Sequence, residues 1–364
     1  MTNQYRAITW TPHKLRYDLF MVIGIACYLI LFVLIGRLVQ GDRGFDATVT
    51  SIRAMGTCAF VLLHIILSIG PLARLNPKWL PLLYNRRHLG VTTCLMAIVH
   101  AVLVTVYYHG GSEMNPLVSL LVNTTRTGVG FEVYGIGALL ILLLLAVTSH
   151  DFWLHALGSC AWKWLHMLVY VAYVLLVAHV ALGVLQDQNG WLMSSLLFAG
   201  IAIVSSLHIA AGLHEVRADR MMVGSSSEDG GWIQAGAADS YVDGQAKIVR
   251  CPHGERIAVY RHNGSLRAVT NVCAHQGGPL GEGRIIDGCI TCPWHGYQYY
   301  PQNGQSPPPY SEKIATYDVK IERGTVLVRC TANAPGTSTV PVALPTVTSP
   351  SDDALKAQTG SVAP

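Results

Sequence analysis

Six stretches of this chain contain no Asp, Glu, Lys or Arg: residues 19–36, 54–73, 89–112, 133–150, 164–186 and 188–214. Each is close to or longer than the ~20 residues a helix needs to cross hydrocarbon. A helix at a soluble protein's surface carries charges on its wet face, so these stretches predict six transmembrane helices. The first is a span rather than a signal peptide, because its apolar run is long and no A-x-A-like cleavage site follows it. Only 13% of residues are charged, about half the share of a soluble domain.

Basic residues orient the spans. Arg6, Lys14, Arg16, Arg74, Lys78, Arg86, Arg87, Lys163, Arg217 and Arg220 fall on one side, and Arg37, Arg43, Arg53 and Arg126 on the other. The positive-inside rule puts the richer side in the cytoplasm. Both termini are therefore expected there, in a multi-pass protein of the inner (cell) membrane. The net charge of +4 is a topology signal and not a nucleic-acid footprint.

Residues 1–18 form a cytoplasmic segment and 19–214 the helical bundle. Residues 215–230, EVRADRMMVGSSSEDG, are a polar linker of short reach. From 231 to 332 the runs AKIVR, RIAVY, LRAVT and TVLVR are separated by Gly, Asn and Asp, the pattern of a small all-β domain. The tail 333–364, rich in Pro, Ala, Thr and Ser, is expected to be disordered. No internal repeat is evident. The predicted fold is thus a membrane α-helical bundle followed by a small all-β domain.

Within that domain residues 273–297 read CAHQGGPLGEGRIIDGCITCPWHGY. Cys273-x-His275 and Cys292-x-x-His295 supply two thiolates and two imidazoles. Two metal centres suit that set: tetrahedral zinc, to which the pair Cys289-x-x-Cys292 lends support, or a [2Fe–2S] cluster with both imidazoles on one iron. Each half carries one Cys and one His, and Gly277, Gly278, Pro279, Pro293 and Gly296 suit tight loops around sulfides. Both points favour the cluster. A cytosolic domain keeps its thiols reduced and available. Over about 232–330 the chain resembles the Rieske ferredoxin family. The resemblance implies Cys273 and Cys292 on one iron, His275 and His295 on the other, and Cys289 in the strand before the second loop. Respiratory Rieske proteins add an inter-loop disulfide, at positions that are Gly278 and Trp294 here, and a serine hydroxyl where this chain has Tyr297. With fewer hydrogen bonds to the sulfurs, the expected potential lies low in the Rieske range.

A histidine inside a bilayer is costly and usually functional. His64, His100, His166 and His179 each lie in a charge-free stretch. His166 and His179 are separated by about 20 Å on one helix, which places one ligand near each membrane face. His100 is level with His179, as expected for a bis-imidazole b-type haem between two helices. The inner partner of His166 is His64 or, if the third helix starts early, His88; His64 is preferred because it lies wholly within an apolar stretch. Arg74, Arg86 and Arg87 are candidate partners for haem propionates. The segments GPLARL, RRHLGVTTCLMAIVH, AVTSH and WKWLHMLVYVAYVLLVAH resemble the ferric-reductase-like transmembrane domain over about 54–184. Within that family they are most similar to the haem-binding membrane subunit of a periplasmic methionine sulfoxide reductase system. The resemblance implies His100, His166 and His179 as haem ligands; His64 rests on depth alone. Some relatives bind a flavin at the inner face, which His88 and the arginines could serve instead.

No G-x-G-x-x-G follows a strand and no P-loop occurs, so no nicotinamide site is visible. Gly135 and Gly137 suit helix packing. The expected function is an oxidoreductase that moves electrons from a cytosolic reductase or ferredoxin through the cluster to two b-type haems. From there they pass to an acceptor at the outer face, with a periplasmic catalytic subunit or a quinone as candidate partners. The alternatives are a quinol-linked enzyme passing electrons inward, or a redox sensor. No catalytic acid–base pair or nucleophile is expected.

Overall fold

A computed structural model describes residues 12–83, 85–111, 114–122, 130–183, 191–221, 231–294, 296–308 and 310–344. They form two compact units, one helical and one built of strands.

In the helical unit the elements are α1 (Pro12–Gly44), α2 (Ala47–Leu75), α3 (Leu80–Leu83), α4 (Arg86–Val104), α5 (Pro116–Val122), α6 (Phe131–Val147), α7 (Asp151–His166), α8 (Leu168–Leu182) and α9 (Trp191–Met221). Five segments are long and apolar enough to span a bilayer: Leu15–Gly41, Ala47–Leu75, Arg86–His109, Cys160–Leu182 and Met193–Arg217; Phe131–Val147 is a shorter apolar helix. They correspond to the six predicted stretches, so the chain is a multi-pass membrane protein. Asp46 starts α2 by accepting from the backbone N–H of Thr48 and Val49 (2.8 and 3.0 Å), which satisfies two of the donors a helix N-terminus leaves open. Within α7, just before the apolar run from Cys160, Gly158 takes φ +78°, a bend that a side chain would oppose. Beyond Val104 the backbone of α4 widens into a π-helical turn, Thr105–His109.

The bundle core joins α2, α4, α6, α8 and α9 through Leu63, Leu67, Cys94, Ala138, Leu142, Ala172, Tyr173 and Val204. Ala138 and Ala172 are fully buried, and residues this small let α6 and α8 approach closely, as helices in lipid require. α1 instead turns Leu19, Phe20, Leu31 and Leu34 outward, a face that lipid covers. α9 continues to Met221, so the first part of the expected linker is helical; residues 222–230 lie outside the described ones.

The β unit holds β1 (Trp232–Ala237), β2 (Ala246–Arg250), β3 (Arg256–His262), β4 (Ser265–Thr270), β5 (Arg284–Ile286), β6 (Cys289–Thr291), β7 (Gln298–Tyr299), β8 (Thr316–Tyr317), β9 (Val319–Glu322), β10 (Thr325–Arg329) and β11 (Val342–Ala343). They form three antiparallel sheets: β1-β10-β9, β11-β4-β3-β2 with β8 also on β4, and the small β5-β6-β7. Alternating side chains of the first two sheets make one core that includes Ile233, Val249, Ile257, Val259, Leu266, Tyr317, Val326 and Val328.

Two expectations change here. The tail is ordered as far as Leu344: β11 pairs with β4, Arg267 donates to the Thr339 carbonyl (2.6 Å) and Thr316 to that of Thr337 (2.9 Å). These bonds offset the ordering cost that composition alone suggested would win. In addition, Cys251 and Cys330 form a disulfide, their Cα atoms 5.9 Å apart, where reduced thiols were expected. The ends of β2 and β10 bring the two residues within bridging distance.

Candidate functional site

The cysteine-histidine loops are held by their own backbones. In the first loop Cys273 N–H donates to the Gly278 carbonyl (2.9 Å), Gly277 takes φ +75°, and Asn271 accepts from the N–H of Gly281 (2.6 Å). In the second, Cys292 N–H donates to Tyr297 O (2.8 Å) and Gly296 N–H to Cys292 O (2.9 Å), with Gly296 at φ +71°. A Cβ at Gly278 would lie 2.7 Å from Cys292 Sγ and 3.1 Å from the Trp294 ring, so only glycine lets the first loop come this near the second cysteine. Cys273 and Cys292 are buried and outside any disulfide; His275 is buried; His295 lies outside the described residues. Cys289 opens β6. No group of three or more metal-binding side chains occurs among the described residues, which do not include His295. Two buried thiols beneath a glycine-only approach fit a [2Fe–2S] group.

One neighbour of the cluster loops was missed in the sequence. The hydroxyl of Tyr299 reaches Cys273 Sγ (3.3 Å). Burial and the adjacent Cys273 push that hydroxyl far above the ordinary tyrosine range, so it stays protonated and donates to a thiolate. Tyr297 donates to Glu312 instead.

In the bundle, the sequence-selected imidazoles share one feature. His100 Nδ1 faces the Ile52 carbonyl on α2 (2.9 Å), His179 Nδ1 the Phe131 carbonyl on α6 (2.9 Å), His166 Nδ1 the Trp162 carbonyl (3.0 Å), and His64 Nδ1 the Phe60 carbonyl (2.8 Å). A carbonyl only accepts, so Nδ1 carries the proton and Nε2 keeps the lone pair that binds metal. His166 Nε2 is buried without a hydrogen-bond partner, an orphan that a metal would satisfy. His100 on α4 and His179 on α8 are each aimed by the backbone of a neighbouring helix. Those positions fit a haem between α4 and α8.

His64 differs. Its Nε2 accepts from the Tyr173 hydroxyl (3.1 Å), and a Cβ at Gly200 of α9 would lie 2.5 Å from the same atom. His88 stands in the first turn of α4 with Nδ1 on the Asp18 carboxylate (2.9 Å), which Asn85 also bonds (2.6 Å). Arg86, at the start of α4, brings its guanidinium near Gly70 of α2, where a Cβ would lie 3.7 Å from Nη1. Between α8 and α9 is a cleft of about 430 Å³ lined by Val174, Val177, Ile201 and Val204, with Tyr170, Tyr173, Ser205 and His208 as its polar groups. His208 Nδ1 faces the Val204 carbonyl (2.8 Å), so the Tyr170 hydroxyl donates to its Nε2 (3.0 Å).

Comparison with known proteins bears on both units. The ferric reductase like transmembrane component family matches residues 53–177. A protein-methionine-sulfoxide reductase heme-binding subunit, MsrQ, from Rhodospirillum rubrum is 33% identical over 181 residues, 50% of this chain and 82% of the relative. The chain belongs to the MsrQ family. The MsrQ resemblance occupies only half of the chain, and the β unit has its own kinship: the Rieske [2Fe-2S] domain family matches residues 231–318. The ferredoxin component of an alkene monooxygenase system from Xanthobacter autotrophicus is 28% identical over 105 residues, 29% of this chain and 85% of that protein. Among solved structures, the Sphingomonas yanoikuyae B1 ferredoxin is 28% identical, with a TM-score of 0.26, covering 27% of this chain and 98% of that one. An MsrQ-type bundle and a Rieske domain together make this chain a membrane electron-transfer protein of the oxidoreductase class.

Proposed function

We propose that this chain conducts electrons across the inner membrane. It takes them from a cytosolic reductase or ferredoxin at the Rieske domain and delivers them at the outer face. What carries this reading is the presence, in one chain, of a Rieske domain and a bundle whose imidazoles present Nε2 at two depths. Bound there, a [2Fe–2S] cluster and two b-type haems would supply one-electron carriers in series. Cys273, His275, Cys292 and His295 would hold the cluster, and His100 with His179 the outer haem.

For the inner haem His166 has two candidate partners, and the geometry now favours His88 over His64. α4 begins at Arg86, so His88 is on the helix. It lies about 18 Å from His100 along α4, against about 20 Å between His166 and His179, which makes the two pairs level. The His64 lone pair is taken by Tyr173. A carboxylate behind the ligand, as Asp18 is behind His88, orients an imidazole and raises its basicity. Arg74, Arg86 and Arg87 would meet the propionates, and the same cations would serve a flavin phosphate if one is bound at the inner face. The name of the MsrQ relatives points to a protein-methionine-sulfoxide reductase catalytic subunit as the acceptor.

The test is Cys273→Ser, since a hydroxyl is a poor replacement for a thiolate ligand. The variant is expected to lose the cluster and keep the haems. A small chemical reductant should still reduce those haems, while a ferredoxin–reductase pair should not. Haem reduction by the protein donor at the wild-type rate would exclude the Rieske domain from the path.

A second reading has its own support in the α8–α9 cleft. An apolar cleft with a Tyr170–His208 couple one turn from His166 suits a quinone head group, the hydroxyl and imidazole handling the protons. Under that reading a quinol reduces the haems and the Rieske domain receives electrons. Tyr170→Phe separates the two: slower haem reduction by a soluble quinol, with unchanged reduction by the protein donor, would support inward flow.

A further inference from the structure

The seat of the outer imidazole pair is built twice. His100 and the carbonyl it bonds, Ile52, are 48 residues apart, and so are His179 and Phe131. Four residues after each carbonyl stands a glycine, Gly56 on α2 and Gly135 on α6. A Cβ at Gly56 would lie 2.8 Å from His100 Cε1 and 2.9 Å from its Nδ1; a Cβ at Gly135 would lie 2.8 Å from His179 Nδ1 and 2.9 Å from its Cε1. Real Cβ atoms do not come so near, so each ring rests on the bare backbone of the neighbouring helix.

The glycine and the carbonyl act together. In an α-helix the carbonyl of one residue meets the N–H of the residue four ahead, which is Gly56 for Ile52 and Gly135 for Phe131. That bond uses one of two lone pairs. Without a side chain on the glycine, the second lone pair stays open to an imidazole N–H from the facing helix. The inner side is built otherwise: His166 Nδ1 bonds a carbonyl of its own helix, that of Trp162.

We infer that Gly56 and Gly135 are equivalent positioning residues of an internally repeated helix pair, α2–α4 and α6–α8, which holds both axial imidazoles of the outer haem by the same backbone bond. This rests on His100 and His179 being its ligands. The bond from Nδ1 raises the basicity of the imidazole, so the cradle stabilises the oxidised iron from both sides and sets the outer haem at a lower potential than looser imidazoles would.

The experiment uses the full-length holoprotein with Gly56→Ala, Gly135→Ala and, as reference, His100→Ala. Gly137→Ala is the control, because a Cβ there would make an ordinary 3.4 Å contact with Leu175. The readouts are haem content, the low-spin electron paramagnetic resonance signal of each haem and its redox titration. The methyl group is expected to push the ring off the carbonyl. Each cradle variant should then change the signal of one haem and raise its potential, with like sign and size for the two positions, while the other haem, the cluster and the Gly137→Ala protein stay as wild type. Wild-type signals in either cradle variant, while His100→Ala loses a haem, would overturn the inference and leave the ligand assignment standing. Loss of both haems in a cradle variant would also overturn it, because the effect would not be confined to one seat. If His100→Ala keeps both haems, the ligand assignment fails and this inference with it.

Discussion

The two units hold their candidate metal-binding side chains in opposite ways. In the β unit each ligand loop is closed by bonds within itself, from Cys273 N–H to Gly278 O and from Cys292 N–H to Tyr297 O. In the bundle, His100 and His179 are each held by a carbonyl 48 residues away on another helix. A loop site is therefore a local object that needs only its sheet beneath it, whereas the proposed outer haem seat exists only once α2 packs on α4 and α6 on α8. A loop site should accordingly be damaged only from within its loop, while the bundle seat can be damaged from either helix of the pair that forms it.

The largest effect tests that independence directly. His179→Ala removes a proposed haem ligand whose Nδ1 is held by the Phe131 carbonyl, and the variant is expected to lose one haem entirely while the cluster signal is unchanged. Cys292→Ser should do the reverse. Metal analysis and optical spectra of the two purified variants check both; loss of the cluster signal in His179→Ala would show that the units depend on each other.

The inner site comes next. His88→Ala is expected to cost the haem nearest the cytoplasm. His64→Ala should leave two haems and only unpair the Tyr173 hydroxyl, at a cost in stability of about 1–3 kcal/mol for a buried polar group left unsatisfied. Haem counts with the opposite outcome would return the ligand to His64.

This contrast also explains what could be read from the chain. The cluster motif was legible because its residues, spacing and turn glycines lie within 25 positions; the spans were legible because charge depletion is a property of composition. The partner of His166 stayed open between His64 and His88, because depth counted from charge-free stretches alone does not say where α4 starts. The repeated glycine-to-histidine spacing of the outer seat is in the sequence, but nothing marks Gly56 or Gly135 until the helices are packed. Tyr299 lies only two residues past the motif, yet its role depends on where its hydroxyl ends, which strand pairing decides. The ordered segment up to Leu344 was hidden by a composition that composition-based reading counts as unfolded.

The disulfide sharpens the comparison for the β unit. Closing the loop between Cys251 and Cys330, a separation of 79 residues, removes chain entropy from the unfolded state worth about 4 kcal/mol. In purified protein, a mild reductant is expected to lower the denaturation midpoint of the β domain and leave that of the bundle alone. Cys330→Ser should abolish the reductant's effect. The same pair reports orientation. With the domain in the cytoplasm, alkylation during denaturing lysis of cells whose thiols were first trapped by acid should label both residues, because that compartment keeps thiols reduced. An unlabelled, bonded pair in living cells would place the domain on the outer side and reverse the topology drawn from the basic residues.

The smallest expected effect concerns a single hydroxyl. Tyr299 donates to a cysteine ligand of the proposed cluster, and its raised pKa keeps the proton in place through the physiological range. A donor to sulfur favours the reduced, more negative cluster, so the bond strengthens on reduction. Taking that strengthening as about 1 kcal/mol, the typical net worth of a hydrogen bond, a one-electron couple shifts by on the order of 40 mV. Tyr299→Phe is therefore expected to lower the cluster potential by that order with the cluster still bound, because the ring fills the same space and only the oxygen is lost. Tyr297→Phe removes a bond to Glu312 instead and should move the potential less. Redox titration of the two variants decides between them. Equal shifts would mean that general polarity around the loops sets the potential, while a shift confined to Tyr299→Phe would mean that one hydroxyl partly offsets the missing serine and inter-loop disulfide of the respiratory proteins.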